Sequence, residues 1–134
     1  MGVTLPTVHV VAAIIVNNNE MVFATQRGYG TWKGYWEFPG GKLEMGETPQ
    51  EALRREINEE LATEIIVGEL LTTIDYDYPT FHLTMQCYRC TLTGPAPTLL
   101  EHLDARWLTP QDLKTLTWLP ADEELIIQLQ ELLL

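Results

Sequence analysis

At 134 residues, 46% of them hydrophobic, the chain is sized for one domain (1–134) with enough apolar side chains to bury a core. Eight Lys and Arg against nineteen Asp and Glu leave a net charge of −11, which argues against a duplex nucleic-acid groove and asks for metal if the substrate is itself anionic. No run of about 18 apolar residues could cross a membrane, and Met1-Gly2-Val3-Thr4 lacks the basic flank of a secretion signal, so a cytoplasmic location is expected.

In chain order, the β-branched run Val8 to Val16 reads as a strand, and Asn17-Asn18-Asn19 turns it into a second at Met21 to Ala24, ending in Thr25-Gln26-Arg27. A glycine-rich loop, Gly28 to Gly34, leads to Phe38-Pro39-Gly40-Gly41-Lys42. That segment reads as a tight glycine turn, bringing backbone close to a ligand and Lys42 beside the acids that follow. Thr48-Pro49-Gln50-Glu51 is a capping box with proline at the first helical position, so a helix is predicted from there to about Leu61. Ile65 to Ile74 and Phe81 to Leu92 read as strands around a bend at Tyr76 to Pro79. Cys87 and Cys90 spell C-x-x-C, but residues three apart on a strand face opposite ways, which predicts buried structural cysteines. Gly94 to Pro97 is a loop and Arg106-Trp107-Leu108 a short strand. Thr109-Pro110 opens a short helix, and Asp122 is placed to cap a last amphipathic one. Repeats, linkers and low-complexity segments are absent from the sequence.

The predicted box helix carries Arg55-Glu56-Ile57-Asn58-Glu59-Glu60. A helix turns about 100° per residue, so Glu59 and Glu60 fall roughly 60° and 40° either side of Glu56. Leu53, Ile57 and Leu61 form the apolar stripe, and Glu60 lies at its margin; Glu51, Arg54 and Asn58 project to the far side. Three carboxylates on one turn repel one another by a few tenths of a kcal/mol per pair. At a core margin they need partners, and all-oxygen donors suit Mg²⁺, Mn²⁺ or Ca²⁺.

Gly41, Glu47, Arg55, Glu56, Ile57, Glu59 and Glu60 together resemble the Nudix box, G-x5-E-x7-R-E-U-x-E-E-x-G-U with U aliphatic. The departures are Ala62 for glycine, expected to shift the helix end or cost about 1 kcal/mol, and Thr63 for an aliphatic residue. Phe38-Pro39-Gly40-Gly41-Lys42, Gly46-Glu47-Thr48-Pro49 and Pro120-Ala121-Asp122 resemble the MutT-type branch. Glu101-His102 ahead of Trp107 looks more like its cytidine-triphosphate pyrophosphohydrolase members.

The resemblance implies an α/β/α sandwich on a mixed β-sheet. It also implies a pyrophosphohydrolase dependent on Mg²⁺ or Mn²⁺ that cuts a nucleoside triphosphate, of the cytidine or oxidised-guanine kind, to monophosphate and pyrophosphate. Metal ligands would be the Gly40 carbonyl, Glu56, Glu59 and Glu60, with Glu101 a fourth acidic ligand or the general base and Glu59 the rival base. Arg27 and Lys42 are candidate phosphate ligands, Arg27 alternatively an ion-pair partner, and Arg55 is expected to orient the box carboxylates. Glu37 and Phe38 join Gly40 as expected substrate contacts. Tyr78 and Phe81 either stack on the base or belong to the core. Asp122 either caps its helix or reads the base; an acceptor-only carboxylate there would favour cytosine N4 or guanine N1 and N2 over the O4 of uracil and thymine. Other Nudix substrates (dinucleoside polyphosphate, nucleotide sugar, RNA 5′ end) or a non-catalytic nucleotide-binding domain are the alternatives, as monomer or homodimer.

Overall fold

A computed structural model describes residues 4–133; Met1 to Val3, part of the segment read above for a leader, and Leu134 lie outside it. The strands are β1 (Thr7–Ile15), β2 (Val22–Gln26), β3 (Trp36–Glu37), β4 (Gly40–Lys42), β5 (Ile65–Tyr78), β6 (Phe81–Leu92) and β7 (Asp104–Leu108). Helix α1 spans Pro49–Leu61 and α2 spans Pro120–Leu132, with a 3-10 segment at Pro110–Thr115. None of the described helices is long and apolar enough to cross a membrane.

Two sheets organise the molecule. The larger has the order β4-β1-β6-β5, with β1 and β6 parallel and the other neighbours antiparallel; the smaller is β3-β2-β7, all antiparallel. Alternation along β1 divides the core. Ala12 and Ile14 face one way, into a cluster with Leu125, Ile126 and Leu129 of α2. Val11, Ala13 and Ile15 face the other, onto Leu53, Ile57 and Leu61 of α1. Each such fully buried aliphatic side chain contributes about 1.5–3 kcal/mol, so α1 and α2 are fastened to opposite faces of one mixed sheet. This is the α/β/α arrangement expected. Cys87 and Cys90 lie in the two different clusters, both buried and unpaired, as their odd spacing on a strand requires.

Helix α1 begins as its sequence dictates. The Thr48 side chain accepts from the Glu51 N–H and the Glu51 carboxylate from the Thr48 N–H, with Pro49 first in the helix. It ends at Ala62 in the left-handed conformation, φ 50°, where glycine would sit without strain. Thr63, in the box's aliphatic place, is buried, and its hydroxyl donates to the Pro95 carbonyl.

Three expectations are corrected. Gly40 to Lys42 is a strand paired with β1, with Gly41 opposite Val11 and Gly40 opposite Ala12, and not a turn. The glycines serve close packing: a Cβ on Gly40 would lie 2.0 Å from the Val11 carbonyl oxygen, and one on Gly41 2.4 Å from the Glu56 carboxyl carbon. The β5–β6 bend is tighter than Tyr76 to Pro79, because Tyr76, Asp77 and Tyr78 stay paired with Leu83, His82 and Phe81. Asp122 does not cap α2. The N-cap is Leu119, without a side-chain cap, and Asp122 points back across the fold to accept the Phe38 N–H at 3.1 Å.

Candidate active site

A cavity of about 470 Å³ opens between the sheet, α1 and α2. Its sheet wall is Val8, Val10 and Ala12 of β1, and Phe38, Gly40, Gly41 and Lys42 run along one side. Glu56 and Glu60 enter from α1, Glu101 and His102 from the loop before β7, and Asp122 from α2. Arg27, Tyr29, Trp32 and Glu37 close the side of the smaller sheet, while Tyr78 and Phe81 come from the β5–β6 hairpin.

Arg55 organises the acidic side. Its guanidinium holds Glu47 through Nε to Oε2 at 2.7 Å and Nη2 to Oε1 at 2.9 Å. Nη1 reaches Glu56 Oε1 at 2.9 Å and Glu59 Oε2 at 3.3 Å, and Nη2 also donates to the Lys42 carbonyl. A bidentate fork of this kind fixes direction as well as charge. Glu56 is thereby aimed into the cavity beside Gly41, while Glu59, with its side chain 57% exposed, stays outside the lining.

Glu60 is the deepest of the three. Its Oε2 accepts the Gly40 N–H at 3.2 Å, and among the described residues no cation faces it at hydrogen-bond distance. Burial above all, then repulsion from Glu56, Glu37 and Glu101, pushes its carboxyl up to about 9. Burial also raises Glu56, against the pull of Arg55. Burial together with neighbouring acids favours the protonated form of Glu60, and a bound cation would reverse that. Glu56, Glu60, Glu101 and the Gly40 carbonyl supply hard oxygen donors, and that donor chemistry fits a divalent metal of the Mg²⁺ type. Among the described residues, however, no three acidic, His or Cys side chains already converge to metal-binding distance, so the carboxylates would have to turn onto the ion.

Opposite the acids, Arg27 pairs with Glu37 through Nε to Oε2 at 2.9 Å and Nη2 to Oε1 at 3.1 Å. Burial raises the Glu37 carboxyl even so, outweighing the guanidinium. Arg27 also lies over the Tyr29 ring, 5.1 Å from its centroid. Lys42 lines the rim and is exposed. Tyr78 is 8% exposed, stacked on Phe81 at 5.0 Å, with its hydroxyl accepting the Ala121 N–H, so it belongs to the core as well as to the wall. Asp122 is buried, and its carboxyl rises to about 8, by burial first and then repulsion from Glu37. The shift favours the protonated form at neutral pH, in which Asp122 has a hydroxyl to donate as well as oxygens to accept.

The exposed Glu101 sits on a loop tied down at three points. Thr98 N–H donates to the Leu61 carbonyl, Leu100 N–H to that of Glu60, and Leu103 N–H to that of Gln26. The loop thus rides on the C-terminal end of the carboxylate helix. Gly28 permits the approach, since a Cβ there would come 2.5 Å from the Glu101 carbonyl oxygen. Three further wall residues, Tyr29, Trp32 and His102, carry no site role in the sequence pattern, although His102 belongs to the Glu101-His102 pair. His102 has a buried Nδ1 without a partner, and burial, then Arg27, lowers its pKa. Tyr29 and Trp32 stood inside a stretch read only as glycine-rich loop. Nothing in its spacing marks either residue; only the closure of the two loops over the sheet brings them in.

The NUDIX domain family matches residues 6–129 of the chain. The chain belongs to the Nudix family. Its relatives place it in the MutT-like branch. It is 32% identical over 124 residues to the 8-oxo-dGTP diphosphatase of Escherichia coli K12, covering 92% of this chain and 96% of that one. It is 30% identical over 131 residues to the CTP pyrophosphohydrolase of the same organism, at 89% and 88% coverage. The solution structure of the E. coli ORF135 protein superposes with a TM-score of 0.82 at 28% identity, covering 96% of this chain and 91% of that one. The chain is a hydrolase of acid anhydrides, a nucleotide pyrophosphohydrolase.

Proposed function

We propose that this Nudix hydrolase cleaves a nucleoside triphosphate to the monophosphate and pyrophosphate with Mg²⁺ or Mn²⁺, in the cytoplasm. The observation that carries the reading is a cavity of nucleotide size in which Glu60 has no cation at hydrogen-bond distance among the described residues, while Trp32, Tyr78, Phe81 and the raised carboxyl of Asp122 line the same space. Glu56, Glu60, Glu101 and the Gly40 carbonyl would hold the metal, with Glu59 joining after release from Arg55. Bound there, the ion would neutralise phosphate oxygens and lower the pKa of an attacking water.

The chain's own groups do the rest. Arg27, once a phosphate draws it from Glu37, and Lys42 at the rim bind the polyphosphate. Arg55 keeps Glu56 aimed inward. Glu101, on its pinned loop, takes the proton of the attacking water, which needs hydrogen-bond reach to it. Phe38 and Glu37 border the base, and Asp122 reads its edge with the oxygen not engaged by the Phe38 N–H. The names of the two relatives favour cytidine and oxidised guanine triphosphates as first substrates to try.

The tests are a nucleotide panel read by phosphate release with coupled pyrophosphatase and, separately and without pyrophosphatase, a reaction in ¹⁸O-labelled water with the products resolved. Pyrophosphate carrying the label, and loss of all turnover on chelation, are expected. Label in the monophosphate would move the attack to the α-phosphorus, and single orthophosphate release would overturn the reading.

A further inference from the structure

Five aromatic side chains line the cavity: Tyr29, Trp32, Phe38, Tyr78 and Phe81. Four already present a ring face to a partner. Tyr78 and Phe81 stack on each other at 5.0 Å with 20° between planes, and Phe38 stacks on Trp118 at 4.8 Å and 25°. Tyr29 holds the Arg27 guanidinium over its ring. Trp32 differs. It meets Tyr35 at 5.0 Å and 86°, and Tyr78 at 6.1 Å and 67°, both edge-on, so no ring lies parallel to it.

The loop that presents Trp32 is built for a side chain aimed inward. Its foot is clamped, with Gly34 N–H to the Arg27 carbonyl, Arg27 N–H to that of Tyr35, and the Gln26 side-chain amide to that of Gly34. Above the foot, Gly30 and Gly34 take φ 74° and 91°, with open space where a Cβ would be. They are glycines for their backbone angles and not for packing. The backbone therefore turns twice to set a half-buried indole into the cavity wall beside Tyr78.

We propose that Trp32 is the stacking surface for the nucleobase, and so a specificity residue that distinguishes a nucleotide from a bare polyphosphate. The inference rests on the nucleotide reading above. Stacking on an indole tolerates any base and is lost when only aliphatic surface remains, a change of about tenfold or more in binding.

The experiment compares Trp32→Leu and Trp32→Phe with wild type, measuring kcat and KM for the best nucleoside triphosphate and inhibition by inorganic tripolyphosphate. Trp32→Leu should raise KM by about tenfold or more with kcat within about threefold of wild type. Inhibition by tripolyphosphate should be unchanged, and Trp32→Phe should recover most of the loss. An unchanged KM, an equal loss of tripolyphosphate inhibition, or a phenylalanine variant as poor as leucine would each overturn the proposal.

Should the leucine variant not fold, NMR of the wild-type protein decides. The indole N–H peak missing from Trp32→Phe should shift on adding an α,β-methylene nucleoside triphosphate and stay put with tripolyphosphate; a peak unmoved by the nucleotide analogue overturns the assignment. A wild-type protein that cleaves no nucleoside triphosphate would instead sink the underlying reading, independently of Trp32.

Discussion

Half-buried Glu60 and buried Asp122 both have carboxyls raised above all by burial, and the consequence of each is measurable. At pH 7 without metal, Glu60 already behaves as an uncharged group, because its carboxyl sits at about 9. Glu60→Gln has no proton to take up on folding, so it should raise the metal-free melting temperature at pH 7 while lowering kcat by at least about tenfold, since the charge a metal needs is gone. Near-wild-type turnover would mean that Glu60 does not hold the ion. Asp122 answers to pH. Its folded value of about 8 lies above the ordinary 3.8, so the folded chain holds this proton more tightly than the unfolded one. The linked stability is fully present below about pH 4 and is lost as the pH climbs to about 8. Asp122→Asn keeps an oxygen for the Phe38 N–H and cannot ionise. Its melting temperature, compared with wild type, should gain steadily from pH 5 to pH 8.5; parallel curves would show that Asp122 does not carry the alkaline loss.

At the scale of elements, α1 is the piece most plainly written in the sequence. Its capping box, its apolar stripe and its outward Glu51, Arg54 and Asn58 all follow from composition and spacing. So did the opposed cysteines of β6, since alternation on a strand is geometric. The short strands β3 and β4 were not legible, because a two- or three-residue strand leaves no periodicity and glycine argues for a turn. Asp122 misled for a related reason: beside Pro120 it has the look of a cap, and only the folded chain places Phe38 within its reach. The walls supplied by Tyr29 and Trp32 were hidden because loops carry no period at all, and His102 was visible only beside Glu101. Of the two departures from the pattern just past α1, Ala62 is the strained one, at φ 50°. Ala62→Gly should stabilise the protein by about 0.5–1 kcal/mol in urea unfolding, with activity unchanged. Destabilisation would show that the methyl group has a contact that outweighs the backbone relief.

For the molecule as a whole, a net charge of −11 with several acids facing one cavity makes divalent ions a stabilising ligand and not only a catalyst. At a hundredfold excess over its Kd, Mg²⁺ should add about 2.7 kcal/mol, seen as a rise in melting temperature that NaCl of equal ionic strength does not reproduce. An equal rise with both salts would assign the effect to screening. The parallel pairing of β1 with β6 has a separate consequence, for how the chain comes off the ribosome. Thr7 lies opposite His82 and Ile15 opposite Cys90, so β1 emerges with its partner still on the order of ten seconds from being made. In that interval only β4, opposite Val10 to Ala12, can shield one edge of Val-Val-Ala-Ala-Ile-Ile. The other edge is an open template for a second nascent chain until β5 and β6, joined by their own tight turn, arrive as a finished hairpin and close it.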